Sequence, residues 1–423
     1  MRILVGSKNA WNDMNAVGNT LSNWFYAQED MEFSSLYSRS QLPANRVCSD
    51  YFRITETQML KNIFTPEKVG SHFTLGSDEM NFEAGSSGST ERRLIDFVKE
   101  HSLKPVYALS DKLWADGRWA NERLKNYIKE FNPDIFFSFA TEPVVLRKRM
   151  ELVKELCNSK CVLFVADDVY SVFLKDGKKR VIGDFEWCMN NADYIYAASE
   201  EMCKEYGESF KREFHFLCKG CEVSPVGRDK PASPIRLVYA GNLFYGRDEI
   251  LALTAQAVEA INRQSETKLF LEIYTASPVA DTMQSRLNIE GASKVMGAKP
   301  YSQIVEIMRQ AHIVLQVESF DKAEIEKVRL SFSTKISDCL QSGSAVVAIG
   351  PDGISSIEYL KKVGGATVIT DTDSIADVLS DFVANPSLLS EYAEKTNKFA
   401  LENIEIKTVR KKISDDFKSL LRK

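Results

Sequence analysis

Short apolar runs rich in β-branched and aromatic residues alternate with stretches of helical period along almost the whole chain of 423 residues. Arg2–Gly6 (RILVG) predicts a first strand, and a helix-like Thr20–Ala27 follows it. Phe33–Tyr37, Asp134–Phe139, Cys161–Ala166 and Tyr194–Ala198 predict further strands, with helical spacing over Asn121–Phe131 and Pro143–Leu156. A second series opens at Arg236, with strands predicted at Arg236–Ala240, Leu269–Tyr274, Lys294–Met296, Ile313–Val317, Ala345–Ile349 and Ala366–Ile369. Glu249–Asn262 and Tyr301–Gln310 are helical segments between them. Strands joined through helices pair in parallel and are covered on both faces, which gives an α/β chain.

Between the two series, Val223–Pro234 (VSPVGRDKPASP) holds three prolines and no apolar period, so it marks a boundary. The expected organisation is a Rossmann-like domain over 1–222, a linker over 223–234, a second Rossmann-like domain over 235–400, and a C-terminal helical stretch over 401–423. Gln58–Glu91 resists the pattern. With its Gly/Ser cluster at Ala84–Thr90 it reads as a long insert with a flexible tip, either a lid or acceptor loop or a surface excursion.

Composition removes several classes. Hydrophobic residues at 44% and charged residues at 27% exclude a disordered chain, a collagen-like fibre and a disulfide scaffold. A net charge of −5 without a long single-sign run leaves no basic footprint for nucleic acid, so no such partner is expected. The N-terminus turns polar after Val5 and so lacks a signal-peptide core, and runs such as Cys161–Ala166 fall far short of the roughly 20 residues that span a bilayer. A cytoplasmic location is expected. The pair Cys218 and Cys221 has no second cysteine or histidine pair at matching spacing, so no metal is expected.

Ligands of open parallel sheets bind beyond the carboxyl ends of strands, where turns meet helix N-termini. Four such turns carry candidates. Gly18-Asn19-Thr20 precedes a helix and offers either an anion site, with Gly18 on the acceptor side, or a simple cap. Gly241 and Asn242 follow strand RLVYA, where Gly241 permits close approach of a ligand and Arg247 supplies a bidentate fork for phosphate. In Ser331–Gly343, Ser333 is the expected N-cap of a helix over Thr334–Gln341, and the N–H groups at Ser333 and Thr334 with the Lys335 ammonium would hold a diphosphate. Asp338 shares the helix face of Thr334 and Lys335, where a carboxylate can hold the hydroxyls of a ribose. Asp167 and Asp168 follow the buried strand CVLFVA, as a turn-initiating pair or as a functional carboxylate at Asp168.

At these residues the chain resembles the GT-B glycosyltransferases, in particular the large retaining family that uses nucleotide-diphosphate sugars. Ala192-Asp193 through Ser199, with Lys219-Gly220 after the next helix, is similar to the end of that family's N-terminal half. Gly241 and Arg247 are similar to the opening glycine turn of its C-terminal half, and Gly297 with Ile304–Met308 and Ala311–Ile313 to the pattern that follows. Aligning the family's E-x-F-G-x-x-x-x-E signature on Gly343 and AVVAI puts Phe332, Ser333 and Asp338 on its phenylalanine, glycine and second glutamate. There are departures: Leu330 stands at the first glutamate, Asn242 at the usual arginine, and Asp167-Asp168 where a histidine often sits. Glu318 ends the strand IVLQV and offers a carboxylate in similar space.

The resemblance implies two Rossmann-like domains facing a central cleft, and metal-independent transfer of a sugar with retention of anomeric configuration. Arg247 and Lys335 would stabilise the departing diphosphate. Gly241, Asn242, Gly297, Ser333, Thr334 and Asp338 would bind the donor, and Gly18 and Asp168 would face the acceptor. It implies no cofactor, a nucleotide sugar as substrate, and a glycan or lipid-linked glycan as acceptor in surface-polysaccharide assembly, with peripheral contact at the inner membrane face. The final helix would pack back on the N-terminal domain. A nucleotide-sugar 2-epimerase and a non-catalytic sugar-nucleotide-binding protein fit the same pattern.

Overall fold

A computed structural model describes residues 1–76, 112–226 and 233–422. Two compact units make up the chain. The first comprises Met1–Ala198, Cys203–Leu217 and the stretch from Arg410, and the second Ser199–Met202 and Cys218–Val409.

The first unit is built on a sheet of eight strands: β1 (Arg2–Ser7), β2 (Glu32–Tyr37), β3 (Asp50–Arg53), β4 (Ser71–Thr74), β5 (Ile135–Phe139), β6 (Lys160–Val165), β7 (Tyr194–Ala197) and β8 (His215–Phe216). Their order is β4-β3-β2-β1-β5-β6-β7-β8, parallel except for the antiparallel pair β3/β4. β5 is buried along its whole length and β1 and β6 at all but their first residue, as expected of strands covered by helices on both faces. The core is aromatic. Trp24 from helix Ala16–Phe25 packs edge-on against Phe164 of β6 at 4.8 Å, and Phe25 against Phe137 of β5 at 5.3 Å; such pairs add about 0.5–1.5 kcal/mol each beyond their burial. From Arg410 onward the helix Ile406–Arg422 belongs to this unit. Its Asp416 accepts the Tyr196 hydroxyl at 2.7 Å, its Phe417 ring meets Phe25 at 6.3 Å, and Arg410 donates to the Asn23 carbonyl at 2.8 Å.

The second unit is a wholly parallel sheet of β9 (Ile235–Ala240), β10 (Leu269–Tyr274), β11 (Ser293–Gly297), β12 (Ile313–Val317), β13 (Ala345–Ile349) and β14 (Thr367–Ile369). The order β11-β10-β9-β12-β13-β14 is the doubly wound 3-2-1-4-5-6 arrangement, which reverses direction between its first and fourth strands. β12 and β13 are buried throughout. The connection from β9 into helix Arg247–Gln264 and the segment after β12 therefore leave the sheet side by side at that switch point.

The expected α/β architecture is present in both units, and most predicted strands fall within a residue or two of those found. The exceptions have physical reasons. β3, β4 and β8 are short edge strands of four, four and two residues, too brief for a period to emerge. The proposed insert is ordered at its start: Gln58 lies within helix Glu56–Lys61, where it completes a capping box with Thr55, and β4 then extends the sheet. The Gly/Ser cluster Ala84–Thr90 lies outside the described residues. None of the eight cysteines is in a disulfide, and burial pushes the Cys218 thiol up to about 12. Among the described residues no helix is long and apolar enough to cross a membrane.

Candidate functional site

The candidate site forms in the second unit at the switch point of its sheet. β9 ends at Ala240, and Gly241–Gly246 turns the chain into helix Arg247–Gln264. Two consecutive residues of that turn, Tyr245 (φ 61°) and Gly246 (φ 69°), are left-handed. A non-glycine residue there is uncommon, and such strain persists only where the surroundings enforce it. The consequence is that Arg247, the first helical residue, points inward and is only 6% exposed.

Arg247 does not stand free. Its Nη2 donates to Glu318 Oε2 at 2.9 Å and Oε1 at 3.2 Å, its Nε to Glu318 Oε2 at 3.1 Å and the Val317 carbonyl at 3.2 Å, and its Nη1 to Asn242 Oδ1 at 2.7 Å. Glu318 directly follows β12, is 2% exposed, and also accepts Gln316 Nε2 at 2.8 Å. The guanidinium charge is thus neutralised by a buried two-point partner.

Lys335 opens the helix Lys335–Gln341, which leads to β13. Its ammonium donates to the Tyr239 hydroxyl at 3.1 Å and sits 4.9 Å from the centre of that ring. Among the described residues no carboxylate lies within ion-pair distance of it. Gly241 makes its path possible, because a Cβ there would lie 2.4 Å from Lys335 Nζ and 2.8 Å from its Cδ. Burial, and then the charge of Arg247, lower the Lys335 pKa to about 8, with Glu318 partly opposing. A half-buried cation with no ion-pair partner among the described residues is a group that an anion can meet.

One helical turn on, Asp338 accepts the Tyr301 hydroxyl at 2.7 Å and Gln341 Nε2 at 3.2 Å. Burial raises its pKa, against the opposing pull of Lys219 and the Tyr301 bond. Lys219 Nζ lies 5.1 Å from the centre of the Tyr301 ring. Gly297 (φ 75°) ends β11, and the turn it begins leads to Tyr301 and so to Asp338.

Two expectations of local structure are corrected by this geometry. Ser333 does not cap the helix: Thr334 holds the cap position in helical conformation without a side-chain bond, and the Ser333 carbonyl instead accepts the Ile336 N–H at 3.0 Å. Seven residues are too few to build a strong helix end, so Lys335 rather than a dipole carries the positive charge. Gly18 does not precede its helix. The helix starts at Ala16, the Asn15 side chain caps the Gly18 amide at 2.8 Å, and a Cβ on Gly18 would lie 2.1 Å from the Asn12 carbonyl oxygen. That glycine serves a close backbone crossing. In the first unit Asp168 caps helix Val169–Asp176 through the Ser171 amide at 3.3 Å and accepts the Tyr206 hydroxyl at 2.9 Å, which is the turn-initiating reading of that residue.

The second unit therefore brings Gly241, Asn242, Arg247 and Lys335 together, and Asp338 stands one turn away. Tyr239, Tyr301 and Gln316 were missed by sequence reasoning. Each is an ordinary strand or helix residue by pattern, and only its partners give it a role. Leu330, at the position of the family's first glutamate, is buried at 2% exposure with its carbonyl accepting Ser199 Oγ at 2.8 Å.

No family model matches the chain, and no curated protein matches it in sequence. Solved structures do match it in fold. HepE of Anabaena, in complex with UDP, matches with a TM-score of 0.64 at 11% identity over 99% of this chain and 100% of that one. Sucrose-phosphate synthase from Thermosynechococcus elongatus matches with a TM-score of 0.59 at 11% identity over 100% of this chain and 99% of that one. The α,α-trehalose 6-phosphate synthase of Burkholderia multivorans matches with a TM-score of 0.57 at 11% identity over 99% of this chain and 96% of that one. The fold is that of the GT-B glycosyltransferases, with two Rossmann-like domains.

Proposed function

We propose that the protein is a retaining glycosyltransferase that moves a sugar from a nucleoside-diphosphate donor to a hydroxyl acceptor, a glycan or lipid-linked glycan of surface-polysaccharide assembly on the cytoplasmic side of a membrane. One observation carries the donor half of this reading: Lys335 is a half-buried ammonium with no ion-pair partner among the described residues, at the switch point of a doubly wound sheet, with a glycine opposite that leaves it room. A diphosphate is the ligand that such a place suits, since its charge grows as the glycosidic bond breaks and Lys335 would stabilise it most at that moment. Arg247 holds Glu318 and Asn242 in position, in place of the free phosphate clamp expected from its residue type. Asp338, released from Tyr301, would take the ribose hydroxyls. Lys335 can supply charge that a divalent metal would otherwise provide. Retention of configuration rests on the family resemblance.

UDP is the first nucleotide to try, because HepE is described in complex with UDP-glucose and with UDP and glucose. Calorimetry of the wild-type chain should show UDP binding, and Lys335→Ala should weaken it at least tenfold, the loss of one charge-assisted contact. Incubation with UDP-sugars should release UDP only when an acceptor is added, with the product anomer matching the donor by NMR. Undiminished UDP binding by Lys335→Ala would sink the site, and an inverted product would sink the retaining mechanism.

A further inference from the structure

Tyr239 lies next to the end of β9 and is 0% exposed. A phenol so placed keeps its proton: burial raises its pKa, and the Arg247 charge opposes that without reversing it. The proton has one destination. The hydroxyl donates to the Asn242 carbonyl at 2.5 Å, across the turn that leaves β9. Its oxygen is then an acceptor toward its other neighbour, the Lys335 ammonium at 3.1 Å. The contact is therefore directional. The ring adds a second hold, since Lys335 Nζ lies 4.9 Å from its centre, within cation–π range.

The carboxylates around Lys335 are occupied elsewhere. Glu318 takes the Arg247 guanidinium and Gln316 Nε2, and Asp338, on the helix of Lys335 itself, accepts Tyr301 and Gln341. Gly241 offers room and no side chain. An ammonium has three N–H bonds, and among the described residues Tyr239 is the one acceptor that Lys335 meets. Two N–H bonds are left for a ligand. Asn242 ties the two cations of the site to one turn: its carbonyl orients Tyr239, and its Oδ1 accepts Arg247 Nη1 at 2.7 Å. A lysine on its flexible four-carbon stem would otherwise spread its charge over many rotamers. Held in one place, it meets a ligand with less ordering to do.

We infer that Tyr239 is a positioning residue of this site: its hydroxyl, oriented by the Asn242 carbonyl, holds the Lys335 ammonium so that two N–H bonds remain for a nucleoside diphosphate. The ligand in this inference rests on the donor reading; the contact between Tyr239 and Lys335 does not. The expected pH effect has a defined sign. Arg247, from the helix after β9, lowers the Lys335 pKa, while Glu318 after β12, and Cys339 and Asp338 on its own helix, raise it. A hydroxyl that accepts from the ammonium favours the charged form. Tyr239→Phe, which removes that oxygen and keeps the ring, should therefore move the Lys335 titration below its value of about 8.

Two measurements on the full chain test this. Trace acetylation of lysines across pH, read by mass spectrometry of the Lys335 peptide, reports on the ammonium with no ligand present. Its midpoint should fall by about one pH unit in Tyr239→Phe. Calorimetry with UDP and with uridine reports on the ligand. UDP affinity at pH 7 should fall about tenfold in Tyr239→Phe, while uridine, which has no phosphate, should bind as it does to wild type. In a Lys335→Ala background, Tyr239→Phe should change UDP affinity no further. An unmoved labelling midpoint, an unchanged UDP affinity in a chain that binds UDP, or an additive loss in the Lys335→Ala background overturns the inference. If wild type fails to bind UDP while the labelling midpoint still moves, the donor reading falls and the contact between Tyr239 and Lys335 stands without that ligand. If Tyr239→Phe is too unstable to assay, adding Lys335→Met decides: a recovered thermal midpoint supports the coupling of the two residues, and an unrecovered one overturns it.

Discussion

The Arg247 guanidinium and the Glu318 carboxylate meet at 2.9 Å with their side chains 7% and 2% exposed, where the chain leaves β9 and β12. The pair converts the most conspicuous cation of the sequence into a structural strut, and it leaves Lys335 as the charge available to a ligand. Three outcomes follow from that division of labour and from the glycine beside Lys335, and a fourth from a glycine of the first unit.

Arg247→Ala should unfold the second unit more readily, because Glu318 would keep a buried charge with no partner. Removing one member of a buried pair costs about 3–5 kcal/mol. Urea denaturation should show that loss, and Arg247→Met with Glu318→Leu should recover most of it. A loss below about 1 kcal/mol in the single variant would mean that the pair is not holding the switch point.

Gly241→Ala should act on ligand rather than on fold. The added methyl meets the flexible end of Lys335, 2.4 Å from its Nζ, so the side chain can swing away. UDP affinity should drop about ten- to hundred-fold, in keeping with a displaced charge-assisted contact, while the thermal midpoint stays near that of wild type.

Lys335 gives a pH dependence with a defined sign. Its pKa of about 8 lies below the usual 10.5, so between those values the unfolded chain holds more protons than the folded one, and stability should rise with pH across that window. Lys335→Met should remove the rise and be the more stable protein at pH 7. Nucleotide binding should go the other way. A diphosphate favours the ammonium form, so affinity should fall as pH climbs through 8, with proton uptake on binding seen by calorimetry in buffers of different ionisation enthalpy. A pH-independent affinity would show that Lys335 does not meet the phosphates.

Gly18→Ala tests the crossing in the first unit. Its methyl would press on the backbone of Asn12, 2.1 Å from the carbonyl oxygen, and backbone cannot rotate aside. The cost should be about 1–3 kcal/mol by the penalty for overpacking, against the gain that alanine normally brings inside a helix. Circular dichroism during thermal unfolding will register it. A stabilised variant would return Gly18 to the list of candidate ligand contacts.

The sequence alone determined the class of fold and the neighbourhood of the site. Runs such as IVLQV and AVVAI are buried on both faces, and only a strand between two helical layers accepts so continuous an apolar run. The same pattern put Gly241, Arg247, Lys335 and Asp338 at the carboxyl ends of strands. What it could not decide was which charge remains unpaired. Arg247 and Lys335 look equivalent in a sequence, both cations near a glycine turn. Their roles separate only because the strand order sets β12 beside β9, which carries Glu318 to one of them and leaves the other facing Tyr239. The helix start at Gly18 and the cap at Ser333 were misplaced for a related reason: a close approach of distant backbone and the true first residue of a short helix are set by packing across the fold, and local pattern holds no record of either.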